Sequence, residues 1–147
     1  MGEKTPSIQD VIDELSKLAR ILRVRLGLRA LILFGSWARG EQLRESDIDI
    51  LVVAECFRGQ PFYEREFLVY KLYRGKLPIE PWCYTPEEVV EAALRNPRLD
   101  VIDALDHGIV VYDDGFWKEL RAKAIRWKRT SYGGIALRSR SEKREKE

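Results

Sequence analysis

Two aspartates, Asp47 and Asp49, stand two residues apart where the apolar run Ile48 to Ala54 begins. Side chains two apart on a strand share a face, so the pair projects together while Ile48 and Ile50 turn toward a core. Carboxylates held that close repel unless a cation or a proton intervenes. Hard oxygen ligands of this kind suit Mg²⁺, which completes its octahedron with waters and substrate phosphates. A second apolar run, Leu28 to Phe34, ends in Gly35-Ser36, where a strand would turn into a helix. A glycine there lets backbone amides approach a phosphate, the helix N-terminus attracts it, and the serine hydroxyl adds a donor. Such a cradle beside an acid pair is what a triphosphate with bound Mg²⁺ requires, and displacement at phosphorus can use two metals. Either feature alone is a weak signal. Their order, spacing and apolar flanks are together much more specific than a turn glycine near solvated acids.

The elements that must position these groups can be read from periodicity and caps. Ser7 with Asp10 starts a helix that carries Val11, Leu15, Leu18 and Leu22 at helical spacing and ends near Gly27. Leu28 to Phe34 and Ile48 to Ala54 read as buried strands, joined by a polar segment too long for a tight hairpin and filled by a short helix, Ser36 to Glu41. A helix over Pro61 to Tyr73 precedes a third strand, Leu77 to Tyr84, in which Pro78 and Pro81 imply a short, irregular or edge position. Thr85-Pro86-Glu87-Glu88 is a helix start with cap, proline and early acids. That helix runs to about Asn96. A further helix follows from Leu99 to Asp106, then a last strand, Ile109 to Tyr112, and a basic helix from Phe116.

At 147 residues the chain fits one domain, with 45% hydrophobic and 34% charged residues, a globular balance that excludes a disordered or fibrous protein. The expected layout is a single domain over 1–135, a motif core near 28–90, a C-terminal extension near 97–135 and a disordered charged tail over 136–147. Cys56 and Cys83 lack the spacing of a disulfide framework or a zinc site, and no run is long enough to span a bilayer; a cytoplasmic protein is expected. Net charge is only +2, yet no acid occurs from Leu120 to Ser141, where Arg121, Lys123, Arg126, Lys128, Arg129, Arg138 and Arg140 surround Trp127 and Tyr132. This stretch reads as a solvated helix face running into a frayed tail, or as a surface able to meet phosphates.

The stretch from Leu33-Phe34-Gly35-Ser36 through Ala38-Arg39-Gly40 to Ser46-Asp47-Ile48-Asp49 resembles the minimal nucleotidyltransferases of the DNA polymerase β superfamily. The likeness is close over about residues 30–53 and weaker to about residue 90. It implies an α/β (α+β) fold, a small mixed sheet with helices packed on it, here with an appended C-terminal helix. It also implies a third carboxylate on the next core strand, joining the metals and helping to deprotonate the attacking hydroxyl. Glu80 is the matching residue, longer than the usual aspartate and followed by Pro81; Asp100 and Asp103 are the next candidates. Trp37 replaces a basic or small polar residue of many relatives, so that stacking or packing takes the place of a phosphate contact.

The implied activity is Mg²⁺-dependent transfer of a nucleoside monophosphate, AMP from ATP, to a hydroxyl acceptor, with Mn²⁺ an alternative ion. Asp47, Asp49 and Glu80 form the expected metal and catalytic set. Gly35, Ser36 and Arg39 form the nucleotide-binding set, Arg39 being equally suited to pair with Glu41 or Glu45. The resemblance further implies a HEPN-type helical partner protein, as in toxin–antitoxin pairs. A competing reading is a nucleotide-binding antitoxin with little catalysis. A third is transfer to an RNA end, not favoured because no RNA-binding module is recognisable. A homo-oligomer is compatible with the sequence. His107 reads as structural, and Arg65, Lys71 and Arg74 as a solvated helix face able to approach a triphosphate.

Overall fold

The computed structural model describes residues 5–131. Ser7 opens helix α1 (Ile8–Leu26) with a reciprocal cap: its hydroxyl accepts from the Asp10 N–H, and the Asp10 carboxylate accepts from the Ser7 N–H, both at 3.0 Å. Two donors that the helix itself leaves unpaired are thereby satisfied. Val11, Leu15, Leu18 and Leu22, three and four apart, form its buried face. Strand β1 (Leu28–Phe34) leads into the one-turn helix α2 (Ser36–Arg39), then strand β2 (Ile48–Ala54) and a 3-10 turn at Glu55–Phe57. Helix α3 (Phe62–Leu72), strand β3 (Ile79–Tyr84), helices α4 (Pro86–Leu94) and α5 (Leu99–His107), strand β4 (Ile109–Asp113) and helix α6 (Phe116–Ser131) complete the order.

The strands form one sheet in the order β3-β2-β1-β4, with β2 and β3 parallel and the other pairs antiparallel. Helix α3 supplies the crossover that a parallel pair needs. The mixed sheet with helices on it is the fold expected from the sequence. Central β1 and β2 are covered on both faces, which is why they read as unbroken apolar runs and not as alternation. The proline-containing β3 lies at the edge and begins at Ile79, two residues later than expected, while α2 stops at Arg39, short of Glu41. Ile48, Ile50, Val52 and Ala54 of β2 join α1, Trp37 and Val69 in one core. Leu51 and Val53 join Val89, Val101, Trp117 and Leu120 from α4, α5 and α6 in the other. The appended C-terminal helix thus also walls the second core, through side chains worth roughly 1.5–3 kcal/mol each when fully buried.

Both cysteines are free thiols; Cys56 is exposed, and burial pushes the Cys83 thiol up to about 12. Among the described residues no helix is long and apolar enough to cross a membrane. The expectations for Tyr132, Arg138, Arg140 and the tail over 136–147 lie outside the described residues.

Candidate active site

The carboxylates gather where β1 ends and β2 and β3 begin. Asp49 is the register partner of Phe34 on β1 and of Glu80 on β3. Laterally paired residues point to one face, and neighbouring strands stand roughly 4.8 Å apart, so Asp49 and Glu80 project side by side. Asp47, two residues before Asp49 at the mouth of β2, is exposed, whereas Asp49 and Glu80 are half-buried. Burial pushes the Glu80 carboxyl above its ordinary value. Hydrogen-bond contact with Asp49 and repulsion from Asp49, Asp47 and Glu66 add to the rise. This is what carboxylates sharing a site do to one another. The Tyr70 phenol is raised as well, by burial first and then by Glu66, Glu80 and Asp47, so α3 brings Glu66 and Tyr70 to the same edge. The Tyr70 hydroxyl donates to the Ile79 carbonyl at 3.0 Å.

Both oxygens of Asp49 are placed by neighbours. Oδ1 accepts from the Trp82 indole N–H at 3.2 Å, and Trp82 is set edge-on to Phe34 with ring centroids 6.1 Å apart. Oδ2 occupies the space that a Cβ on Gly35 would take. Gly35 also has φ 75° and ψ −155°, a backbone region that side chains rarely enter, so glycine is required here on two counts. Its N–H, expected to face a phosphate, donates instead to Asp103 Oδ2 on α5 at 3.1 Å. The same oxygen accepts from Arg39 Nη1 at 2.7 Å, and Arg39 Nε donates to Glu41 Oε1 at 3.0 Å. Arg39, a candidate phosphate ligand, is therefore engaged on both sides by acids. The half-buried Ser36 hydroxyl has no partner among the described residues. Trp37 is packed into the α1-side core at 4% exposure and donates to the Ser46 carbonyl at 3.4 Å.

Arg65 departs from its expected place. It is 4% exposed and gives both terminal nitrogens to the Glu88 carboxylate, at 2.6 and 3.1 Å, with further bonds to the Gln60 and Cys83 carbonyls. The reason is its position on the inner side of α3, where the guanidinium ties α3 to β3 and α4 and has no access to a phosphate or to solvent. Lys71, Arg74 and His107 are exposed. Sequence reasoning missed Trp82, Glu66 and Tyr70 as neighbours of the acids, and Asp103 as the partner of Gly35. Trp82 alone had a local signal, since it lies two residues after Glu80 on a strand and must share its face.

The donor set fits a hard divalent cation. Among the described residues no three Asp, Glu, His or Cys side chains are gathered tightly enough to enclose a metal ion by themselves. The arrangement is an adjacent pair with a third carboxylate at its mouth. That suits an ion bound through one or two carboxylates and completed by waters and phosphates. Burial first, and then the nearby Asp49, Asp47 and Glu66, hold the Glu80 carboxyl up, and a bound cation would relieve the part that comes from negative charge.

Residues 15–111 match the family described as the nucleotidyltransferase domain, a segment that includes all three carboxylates, Gly35, Ser36 and Arg39. The chain is 33% identical over 93 residues to a candidate protein adenylyltransferase of Methanocaldococcus jannaschii, covering 63% of this chain and 87% of the relative. A second candidate protein adenylyltransferase of that organism is 30% identical over 96 residues, covering 62% of this chain and 63% of the relative. The fold is similar to that of a candidate nucleotidyltransferase from Sulfolobus solfataricus, with TM-score 0.54 and 19% identity over 77% of this chain and 91% of the other. It is also similar to a toxin–antitoxin structure solved with AMP-PNP, with TM-score 0.52 and 20% identity over 86% of this chain and 94% of that one. With the carboxylates paired across β2 and β3 and the matched segment running from α1 into β4, the chain belongs to the nucleotidyltransferase domain family.

Proposed function

We propose that this chain transfers AMP from ATP to a hydroxyl of a partner protein, with release of pyrophosphate. The observation that carries the reading is the Asp49–Glu80 register pair with Asp47 at its mouth, inside a nucleotidyltransferase domain. Asp47, Asp49 and Glu80 would hold the divalent ions, Mg²⁺ or Mn²⁺, with waters and phosphates as the remaining ligands. When bound, such ions neutralise developing charge on the phosphate oxygens and acidify the attacking hydroxyl. The acceptor oxygen bonds to the α-phosphorus, the bond from that phosphorus to the oxygen bridging to the β-phosphate breaks, and pyrophosphate leaves with the electron pair. The hydroxyl proton passes to the Glu80 carboxylate, which stands beside Asp49 across the β2–β3 register. Ser36 would donate to a non-bridging oxygen. Gly35 and Trp82 hold Asp49 in place, and the Asp103–Arg39 pair braces α2 against α5.

The names of the Methanocaldococcus relatives and of the toxin–antitoxin neighbour support a protein acceptor, in this reading a HEPN-type helical partner. So do Tyr63, Phe67 and Tyr70, which are exposed at helical spacing on α3 beside the open edge of β3. A second reading, nucleotide binding with little turnover, is favoured by Asp103, which takes the Gly35 N–H and Arg39 that a phosphate would use. Incubation with Mg²⁺, α-labelled ATP and extract from the native host decides between them. A protein that gains label and the mass of AMP supports transfer to protein. Labelled RNA ends put RNA in its place, and tight ATP binding without label leaves the binding reading.

A further inference from the structure

The exposed Tyr70 on α3 brings a nucleophile of the chain itself to the acids. Its hydroxyl donates to the Ile79 carbonyl at 3.0 Å. The Pro78 carbonyl accepts from the Ile48 N–H on β2 at 2.9 Å, and successive carbonyls of a strand turn to opposite sides, so the Ile79 carbonyl faces the outer edge of β3. Tyr70 therefore meets the sheet at its rim and crosses neither face. Ile79 is the register partner of Ile48, which lies between Asp47 and Asp49, and Glu80 is the next residue along β3. Burial raises the phenol first, and Glu66, Glu80 and Asp47 each raise it further, so its oxygen lies within electrostatic reach of all three acids. Other tyrosine hydroxyls are placed elsewhere. Tyr73 accepts from the Leu77 N–H at 3.0 Å, and Tyr84 is held by Asp100. Tyr63 is seven residues before Tyr70, roughly 10 Å back along the helix. Arg65, between them, bonds to the Cys83 carbonyl, so that direction leads away from the acids.

We propose that Tyr70 is a self-modification site: a molecule with ATP bound transfers AMP to its own Tyr70 hydroxyl. This rests on the nucleotidyl-transfer reading above. The Tyr70 oxygen bonds to the α-phosphorus, its proton passes to the Glu80 carboxylate, the bond from that phosphorus to the oxygen bridging to the β-phosphate breaks, and pyrophosphate leaves with the electron pair. To react, the phenol gives up one neutral hydrogen bond to a backbone carbonyl and turns about its own side-chain bonds. A hydroxyl tethered beside the reacting centre competes with a separate acceptor at a high effective concentration, because its approach needs no encounter between molecules.

The test is incubation of the purified full chain with Mg²⁺ and α-labelled ATP, with no other protein present, followed by intact-mass measurement and tryptic mapping. Cleavage after Arg65 and Lys71 releases the fragment Glu66–Lys71, in which Tyr70 carries the sole side-chain hydroxyl. One AMP per chain should appear on that fragment. The fraction labelled per minute should not change with protein concentration, as a reaction within one molecule requires. Y70F should take up no label, and Y63F should label as the parent does. Label on Tyr63 in place of Tyr70, a fraction per minute that rises with protein concentration, or equal labelling of Y70F and parent would each overturn the proposal. Proteins of the host extract that gain AMP while Tyr70 stays unmodified would overturn self-transfer alone and leave the transfer reading standing. Tight ATP binding with no label on the chain or on any extract protein would overturn both.

Discussion

At the scale of single residues, each oxygen of the central aspartate has its own reason to be where it is. The Trp82 N–H orients one, and the missing side chain of Gly35 makes room for the other. Gly35→Ala should therefore abolish transfer, because the new Cβ displaces the Asp49 carboxylate. Gly40→Ala serves as the control. Gly40 also has positive φ, at 73°, but faces open space, so it should lose only the roughly 1–2 kcal/mol of left-handed backbone strain and keep its turnover. Thermal melts and initial rates on the two variants separate strain from site geometry. The folded Asp47→Asn, Asp49→Asn double variant should bind ATP with Mg²⁺ about tenfold more weakly or worse by calorimetry. Glu80→Gln should lower kcat strongly and leave ATP affinity within a few fold. The same variant carries a pH signature. A carboxyl held above its ordinary value stabilises the fold fully below that value, near 4.3, and loses the contribution as pH rises through the shifted one. Without divalent metal, Glu80→Gln should raise the Tm at pH 7 to 8, with the gain disappearing near pH 4.

At the scale of elements, the parallel contact of β2 with β3 decides which acid joins the aspartates, and the α3–α4 junction holds β3 where it is. Arg65 reaches from α3 to Glu88, which is also the reciprocal cap partner of Thr85 at the start of α4. Burial would raise the Glu88 carboxyl, but the Arg65 guanidinium and the Thr85 N–H and hydroxyl outweigh it and hold it below its ordinary value. This group therefore stabilises the fold above its ordinary value and loses the contribution as pH falls through the lower one. Arg65→Ala should cost about 2–3 kcal/mol at pH 7, below the roughly 3–5 kcal/mol of a fully buried pair because the Glu88 side chain is 35% exposed. Urea unfolding at pH 7 and pH 3 checks both statements, since the difference between variant and parent should shrink at the lower pH.

At the scale of the whole molecule, α1 packs on one face of the sheet and α4, α5 and α6 on the other, and the carboxylates lie where β1 ends and β2 and β3 begin. Helix α6 closes its face through Trp117, which is 2% exposed, with Leu120 and Ala124. Trp117→Ala should cost about 3–5 kcal/mol in urea unfolding, the range for deleting a large aromatic from a packed interior. A loss below about 1 kcal/mol would show that α6 contributes little to that core.

What the sequence determined by itself was whatever depends on neighbours along the chain. The apolar runs marked β1 and β2, the Ser7 and Thr85 boxes started their helices, and the prolines sent β3 to the edge. Those signals are local because backbone geometry repeats over two to four residues. The tertiary structure decided which distant groups meet. Asp103 finds the Gly35 N–H and Arg39 only because α5 packs beside the end of β1, and Arg65 is buried only because α3 packs on β3 and the start of α4 brings Glu88 to it. Whether Arg39 is free to meet a phosphate follows from that packing. A charge's availability depends on which opposite charges the fold brings within reach, and no spacing along the chain records it.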